Sequence, residues 1–489
     1  MIFNSLEFLI FLPIVFLVYW LLPKKIRYIW LLIASYVFYA FWDWKLLGLI
    51  LCTTVVSFLM AIFISKSQKK GIKILCLVIG IVVTLGILVF FKYANFLISS
   101  TIHIINLFPN SNVKDYSLNL ILPVGISFYT FQTLSYVIDV YKGKITPEKN
   151  FFYYSLYVSF FPQLVAGPIE RPENLLPQLK QETKINIDNI QIGLKFILTG
   201  YIKKIVIADM LAVFINPIFN NLADMNGLLV VIGTCLFAVQ ILCDFAGYSD
   251  IAIGVAKLFN IDLMQNFNKP YRATSIRDFW SRWHISLSTW FRDYIYFPLG
   301  GSRVNKFRWA LNILVVFLIS GLWHGASWTF VIWGLMHAIF QIIGRLTLNI
   351  RNKFWTLLKV DVNGKLLYVL RMIMTFTLVA FSWIAFRANT IEDMLLAYKL
   401  LFTGWNFSSS YFATVGSVID FGWKTCLIIV SALAILNVVD YIKVNYDPNK
   451  TVWFVVRKVI YLVGVWCVVF CFIYLNASGN SSSFIYFQF

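Results

Sequence analysis

Residues 266–303 read NFNKPYRATSIRDFWSRWHISLSTWFRDYIYFPLGGSR, and residues 311–340 read LNILVVFLISGLWHGASWTFVIWGLMHAIF. The first block is basic, aromatic and polar. The second is an apolar hairpin interrupted at Gly321-Leu322-Trp323-His324-Gly325. Only four histidines occur in the chain, and His284, His324 and His337 all fall in these two blocks. An imidazole among apolar residues is costly unless it is hydrogen-bonded or lines a wet cavity. The remaining sequence reads as a lipid-embedded scaffold for this stretch.

Composition sets the class. Of 489 residues, 60% are hydrophobic and 13% charged, and the mean hydropathy is +0.77. A soluble chain carries about 25% charged residues, so this is a polytopic membrane protein. Length alone would suggest roughly three soluble domains, but apolar runs joined by short loops argue for one membrane body over residues 1–489. The formal charge of +19 sits in short loops between those runs, the positive-inside pattern. It points to a face near anionic lipid, or to attraction of an acidic carrier or substrate, and not to nucleic acid. The seven cysteines form no CxxC and no zinc-like spacing with histidine, which leaves metal and disulfide readings without support.

In chain order, the run Leu6–Leu22 lacks a positive n-region and is followed by Lys24, Lys25 and Arg27. It reads as a permanent first span with the N-terminus outside. Spans over Ile29–Trp42, Lys45–Ile64 and a fourth ending by Phe91 follow, then an amphipathic Asn95–Phe108 whose His103 is interfacial or packed. The span Leu120–Tyr141 carries PVGISFYTFQ, an interruption tolerated where backbone faces protein or a water-filled cavity. Phe151–Val165 is short and stops at Ala166-Gly167-Pro168, a re-entrant or interfacial helix. Further spans fall at Ile205–Phe219, Leu228–Phe245, Val369–Phe386, Cys426–Ile442 and Val459–Leu475. With the hairpin as two passes, the fold class is an all-α polytopic membrane protein of about twelve crossings plus re-entrant or interfacial helices, both termini outside. Asp244 and Asp250 lie close to hydrocarbon; a functional role and pairing with the arginines downstream are both open.

Within the first block, Ser275 caps a helix, with Asp278 three residues on as the carboxylate variant of a capping box. Trp280, Trp283, Leu287, Trp290, Phe291 and Tyr294 then recur at helical spacing as one broad apolar face, with Ser281, His284 and Ser288 along its side. Arg277, Arg282, Arg292 and Arg303 make the segment basic, which fits an interfacial helix or a site. In the hairpin, about fifteen residues rise a little over 20 Å, less than a bilayer core of roughly 30 Å. His324 is therefore expected deep in the membrane body, beside glycines that permit close approach of backbone or substrate. His337, on a Trp- and Phe-lined helix, reads as a packed histidine.

RDFWSRWHISLSTWFRDYIYFPLGG and GLWHGASWTFVIWGLMHA, with PQLVAGPIERP and the terminal FIYFQF, resemble the membrane-bound O-acyltransferase family (MBOAT), and within it the bacterial alginate O-acetyltransferase branch. The resemblance implies a fold built around a buried catalytic histidine, here His324, with His284 as the second functional position. It divides the single domain into N-terminal spans (1–141), a catalytic core (142–353) and C-terminal spans (354–489). It also implies acyl transfer, usually of acetyl, from a cytoplasmic thioester donor to a hydroxyl at or beyond the outer face of the cell membrane. The donor, acetyl-CoA or an acyl carrier protein, is a co-substrate, and no tightly bound cofactor or metal is expected.

The chemistry of the residues is compatible with that reading. A buried neutral His324 suits a general base, and arginines near His284 suit the anionic groups of a phosphorylated carrier. Arg277, Arg282, Ser288, Arg292 and Trp323 are therefore taken as donor- or substrate-binding candidates, with donor handling at His284 and chemistry at His324 as two ends of a path. No GxSxG motif supports a serine acyl-enzyme. The acceptor stays open: an extracytoplasmic polysaccharide, which the resemblance favours, peptidoglycan, a teichoic acid taking D-alanyl or another acyl group, or a partner acetyltransferase that completes the transfer. A polysaccharide or lipid transporter is the rival of a different class, without the repeat that many transporter folds show.

Overall fold

A computed structural model describes residues 1–109, 111–165, 167–406, 408–418 and 451–477. These residues form helices and no strand. Six helices are long and apolar enough to cross a membrane: Trp44–Lys66, Lys70–Asn106, Gly227–Leu258, Lys306–His324, Trp328–Leu346 and Lys365–Arg387. Two shorter apolar helices, Leu6–Leu21 and Tyr461–Leu475, accompany them. The chain is thus a multi-pass membrane protein; the six long helices are those among the described residues, against an expectation of about twelve crossings over the whole chain. The expected span Cys426–Ile442 and the tail motif FIYFQF lie outside the described residues.

The chain divides into two compact units. The first comprises Met1–Lys195, Ala252–Gln265 and Gly325–Ser327. In it α1 (Leu6–Leu21) leads through a short turn to α2 (Arg27–Ala40), and α3 (Ile126–Tyr141) forms the core with α4 (Phe151–Ser159). The expected span from Leu120 is shorter than its apolar run, because residues 111–123 are not helical. Gly125 starts α3 at φ 75°, where a Cβ would lie 2.5 Å from the Leu164 carbonyl oxygen, so only glycine fits there. All of α3 except Ile138 and Tyr141 is buried, the mark of a helix enclosed by protein. Its polar residues are spent on that packing. Gln132 Nε2 and Gln163 Nε2 both donate to the Tyr157 carbonyl, at 2.5 and 3.0 Å, satisfying a group that the end of α4 leaves without a helical partner.

The second unit comprises Phe196–Ile251, Asn266–His324 and Trp328–Phe489. Here α5 (Gly227–Leu258) runs against the helix that continues through a π-helical segment, Ile202–Asp209, into Met210–Asn220. A Cβ on Gly200 would come within 2.6 Å of the Gly247 carbonyl, so the two backbones touch at glycine. Beside this crossing Lys203 pairs with Asp250 at 2.5 Å, and the buried Lys204 ammonium reaches Asp209 at 2.8 Å and Asp244 at 2.6 Å. The aspartates therefore pair with lysines upstream, not with the arginines downstream. A lysine at this depth keeps its charge only with carboxylates in contact.

Five helices of this unit build the site: α6 (Ile276–Arg282), α7 (Ile285–Phe291), α8 (Lys306–His324), α9 (Trp328–Leu346) and α10 (Lys365–Arg387). The α8/α9 hairpin is as expected, and its glycines explain how it closes. A Cβ on Gly321 would meet the Phe330 carbonyl at 2.3 Å, and one on Gly334 the Phe317 carbonyl at 2.3 Å. Gly321 thus serves backbone approach, the first of the two alternatives. Its 19 residues make α8 about 28 Å long, so His324 ends a helix that is itself long enough to cross. Protein packing buries that imidazole.

Candidate active site: two histidines in an aromatic box

The cap on α6 is formed as the sequence suggests. Ser275 Oγ accepts from the Asp278 amide at 3.1 Å, while Asp278 Oδ2 accepts from the Thr274 amide at 3.1 Å, one residue earlier than in a standard capping box. The continuous helix expected through Tyr294 is broken at His284. Asn268 N donates to the Arg282 carbonyl at 2.9 Å, and Ile285 N to the Asn266 carbonyl at 3.0 Å. The Asn266 side chain takes Ser286 Oγ at 2.6 Å and donates to Ser249 Oγ at 3.1 Å. These bonds replace the helical ladder and leave His284 at φ 42°, ψ 56°. For a residue with a Cβ, that left-handed conformation costs about 1–2 kcal/mol. The turn points the ring away from the face that α6 and α7 would share as one helix.

His284 is fully buried. Its ring centroid lies 4.6 Å from Phe245, 5.7 Å from Trp323 and 6.5 Å from His324, each edge to face. Burial pushes its imidazole pKa down to about 3, which keeps it neutral at physiological pH. His324, at the end of α8, is 3% exposed. Trp323 and Trp333 stand edge to face with it at 5.0 Å, and Phe386 of α10 at 5.5 Å. The two histidines therefore share one aromatic box. The two positions expected as ends of a path thus lie 6.5 Å apart between ring centroids.

The other expected residues divide. Trp323 is buried between the two imidazoles and belongs to the box. Arg282 bonds Asp278 at 2.7 Å, Arg292 bonds Asp293 at 2.8 Å, and Ser288 Oγ donates to the Trp283 carbonyl at 3.1 Å. Arg277 is exposed. Each of these bonds is local to α6, α7 or the turn after them, and none reaches an imidazole. Sequence reasoning missed Phe245, Trp333 and Phe386, which wall the box, and Trp383, which stacks on Trp333 at 5.8 Å. The four-residue spacing of Trp333 and His337 held a signal for one of them. Phe245 and Phe386 come from distant helices and gave none.

His337 is the packed histidine the sequence suggests. Nδ1 accepts from Trp280 Nε1 at 3.3 Å, and Nε2 lies 2.9 Å from Ser382 Oγ. The Ser382 proton goes to the Val379 carbonyl at 2.7 Å, so Nε2 must be the donor to Ser382. The ring is neutral and protonated at Nε2.

Residues 148–386, which include all three histidines of the second unit, match the model of MBOAT, the membrane-bound O-acyltransferase family. The chain is 37% identical over 432 residues to a peptidoglycan O-acetyltransferase of Helicobacter pylori, covering 82% of this chain and 79% of that protein. It is 38% identical over 411 residues to a probable alginate O-acetylase of Azotobacter vinelandii, covering 82% and 78%. A teichoic acid D-alanyltransferase of Bacillus subtilis is 31% identical over 240 residues, 45% of this chain and 58% of that protein. On that likeness, shared over most of two relatives, the chain is a membrane acyltransferase and belongs to the membrane-bound O-acyltransferase family.

Proposed function

We propose that the protein sits in the cell membrane, both termini outside, and moves acetyl from a cytoplasmic thioester, acetyl-CoA or an acyl carrier protein, to hydroxyls of an extracytoplasmic polysaccharide. The transfer is direct or completed by a partner acetyltransferase. The observation that carries this reading is the pair of buried imidazoles, ring centroids 6.5 Å apart, at the start of α7 and the end of α8. His324 takes the proton of the accepting hydroxyl as its oxygen attacks the thioester carbonyl. The neutral His284 ring donates a hydrogen bond to the developing oxyanion. The tetrahedral intermediate then expels the thiolate, which takes the proton back from His324 as the C–S bond breaks. The aromatic walls exclude water, which would otherwise hydrolyse the thioester. Arg277, Arg282 and Arg292 act at a distance from the rings, by drawing an anionic donor to the basic segment.

Deleting the gene and measuring O-acetyl ester on each envelope polymer tests the proposal. Loss from one polysaccharide is expected. Unchanged ester on every polymer overturns acetyl transfer. Loss of ester-linked D-alanine from a teichoic acid instead supports the second reading, for which the 31% identity to a D-alanyltransferase speaks.

A further inference from the structure

The first unit contains a cavity of about 250 Å³ that neither histidine enters. Lys24, Lys25, Arg27 and Lys180 line it, and Glu182 is its one carboxylate. Lys180 pairs with Glu148, outside the lining, and Lys24 lies 3.8 Å from Glu182 across an exposed gap, a contact worth little in water. Arg27 is fixed otherwise. Its guanidinium donates to the carbonyls of Leu22 at 3.0 Å, Trp20 at 3.3 Å and Thr183 at 2.9 Å, and lies 4.8 Å over the Trp20 ring. These partners orient the charge without neutralising it. Tyr28 and Tyr153, stacked at 4.0 Å, form an aromatic wall.

The cavity lies at the C-terminal end of an apolar helix, α1, whose buried Tyr19 also lines it. Along α1, Ile10, Ile14, Leu17 and Leu21 are 57, 53, 58 and 83% exposed, and their spacing places them on one face. A cationic cavity at the end of an exposed apolar stripe fits a ligand with an anionic head and a hydrocarbon tail. We propose that this cavity is a headgroup site for an anionic membrane phospholipid, its phosphate held by Lys24, Lys25 and Arg27 and an acyl chain lying along α1. An Arg held in a fixed orientation beside two lysine ammonium groups is suited to a phosphodiester. The site is distinct from the general attraction of lysines to a charged leaflet, because its charges converge on one cavity.

The test uses the full-length purified protein in detergent, with thermal unfolding read as phosphatidylglycerol or phosphatidylcholine is added. A ligand that binds only the folded state raises Tm. Phosphatidylglycerol should raise it by on the order of 2–4 °C over phosphatidylcholine. K24S/K25S should lose at least half of that difference, and K24R/K25R should keep it. K69S/K70S, which removes two lysines outside the cavity, should keep it in full. The proposal is overturned if K24S/K25S retains the whole difference, if K69S/K70S loses as much, or if inorganic phosphate alone reproduces the shift. Native mass spectrometry should find fewer retained phosphatidylglycerol molecules on K24S/K25S than on the parent, and equal numbers count against the site.

Discussion

His337 and His324 share a neighbour: the Trp333 ring lies 4.9 Å from one and 5.0 Å from the other. Both are buried, both belong to the α8/α9 hairpin, and both would score alike on any scale of hydrophobic surroundings. Their partners differ. His337 is tied through each nitrogen, to Trp280 and to Ser382, and its tautomer is set by those bonds. His324 is enclosed by ring edges at a helix terminus, with a second imidazole as part of its enclosure. Burial alone does not mark a functional histidine. Hydrogen bonds through both nitrogens fix one ring in the packing, while the edges of Trp323, Trp333 and Phe386 enclose the other.

This contrast makes its largest prediction for the rate. His324→Ala should lower acyl transfer by about 10²–10⁴-fold, the range for losing a general base, in protein that inserts and unfolds normally. His337→Ala should invert the pattern, destabilising the fold by about 2–4 kcal/mol through a cavity and two stranded hydrogen-bond partners. Transfer per folded molecule would change much less. Unfolding midpoints and kcat measured together on both variants decide this, and equal loss of kcat erases the distinction between the two rings. Gly334→Ala tests whether the hairpin crossing places His324. A methyl 2.3 Å from the Phe317 carbonyl must push α8 and α9 apart, costing about 1–3 kcal/mol. It should also reduce kcat with KM little changed. A stability loss without a kcat loss would separate the crossing from the site.

The next effect is one of pH. His284 has its folded pKa pushed down to about 3, against 6.5 unfolded. The unfolded chain therefore binds a proton below pH 6.5 that the folded chain refuses, so this contribution to stability is intact above pH 6.5 and lost as pH falls toward 3. One unit of pH within that window corresponds to at most about 1.4 kcal/mol. His284→Asn, which tolerates the left-handed conformation, should flatten the acid limb of stability. A limb of unchanged slope would mean that His284 is protonated in the folded protein.

Much of this site is legible in sequence because the signals are local. Ser275 caps as its spacing suggests, and the hairpin turns directly after the helical residues 321–324. His337 packs as a histidine on an aromatic helix should. The failures involve residues far apart. Helical periodicity from Trp280 to Tyr294 predicts one helix, but Asn266, some twenty residues upstream, intercepts the backbone and turns His284 inward. Periodicity carries no information about such a competitor. Asp244 and Asp250 invite pairing with nearby arginines, yet the lysines that reach them stand on the preceding helix. Gly334 looks like any helical glycine until its partner across the hairpin is known.

The π-helical segment Ile202–Asp209 has one more consequence. In an α-helix, positions five apart point in directions roughly 140° different, since each residue turns about 100°. In a π-turn the i→i+5 hydrogen bond widens the turn and brings them closer to one face. Lys204 and Asp209 are five apart and meet at 2.8 Å. The widened turn is thus what lets one chain segment supply both a buried cation and half of its counter-charge, while Asp244 arrives from the neighbouring helix. If the turn tightened to an ordinary helix without losing a residue, the carboxylate would swing out of reach and Lys204 would keep one anion instead of two. The backbone pitch here is a form of charge control, set by geometry and not by side-chain chemistry.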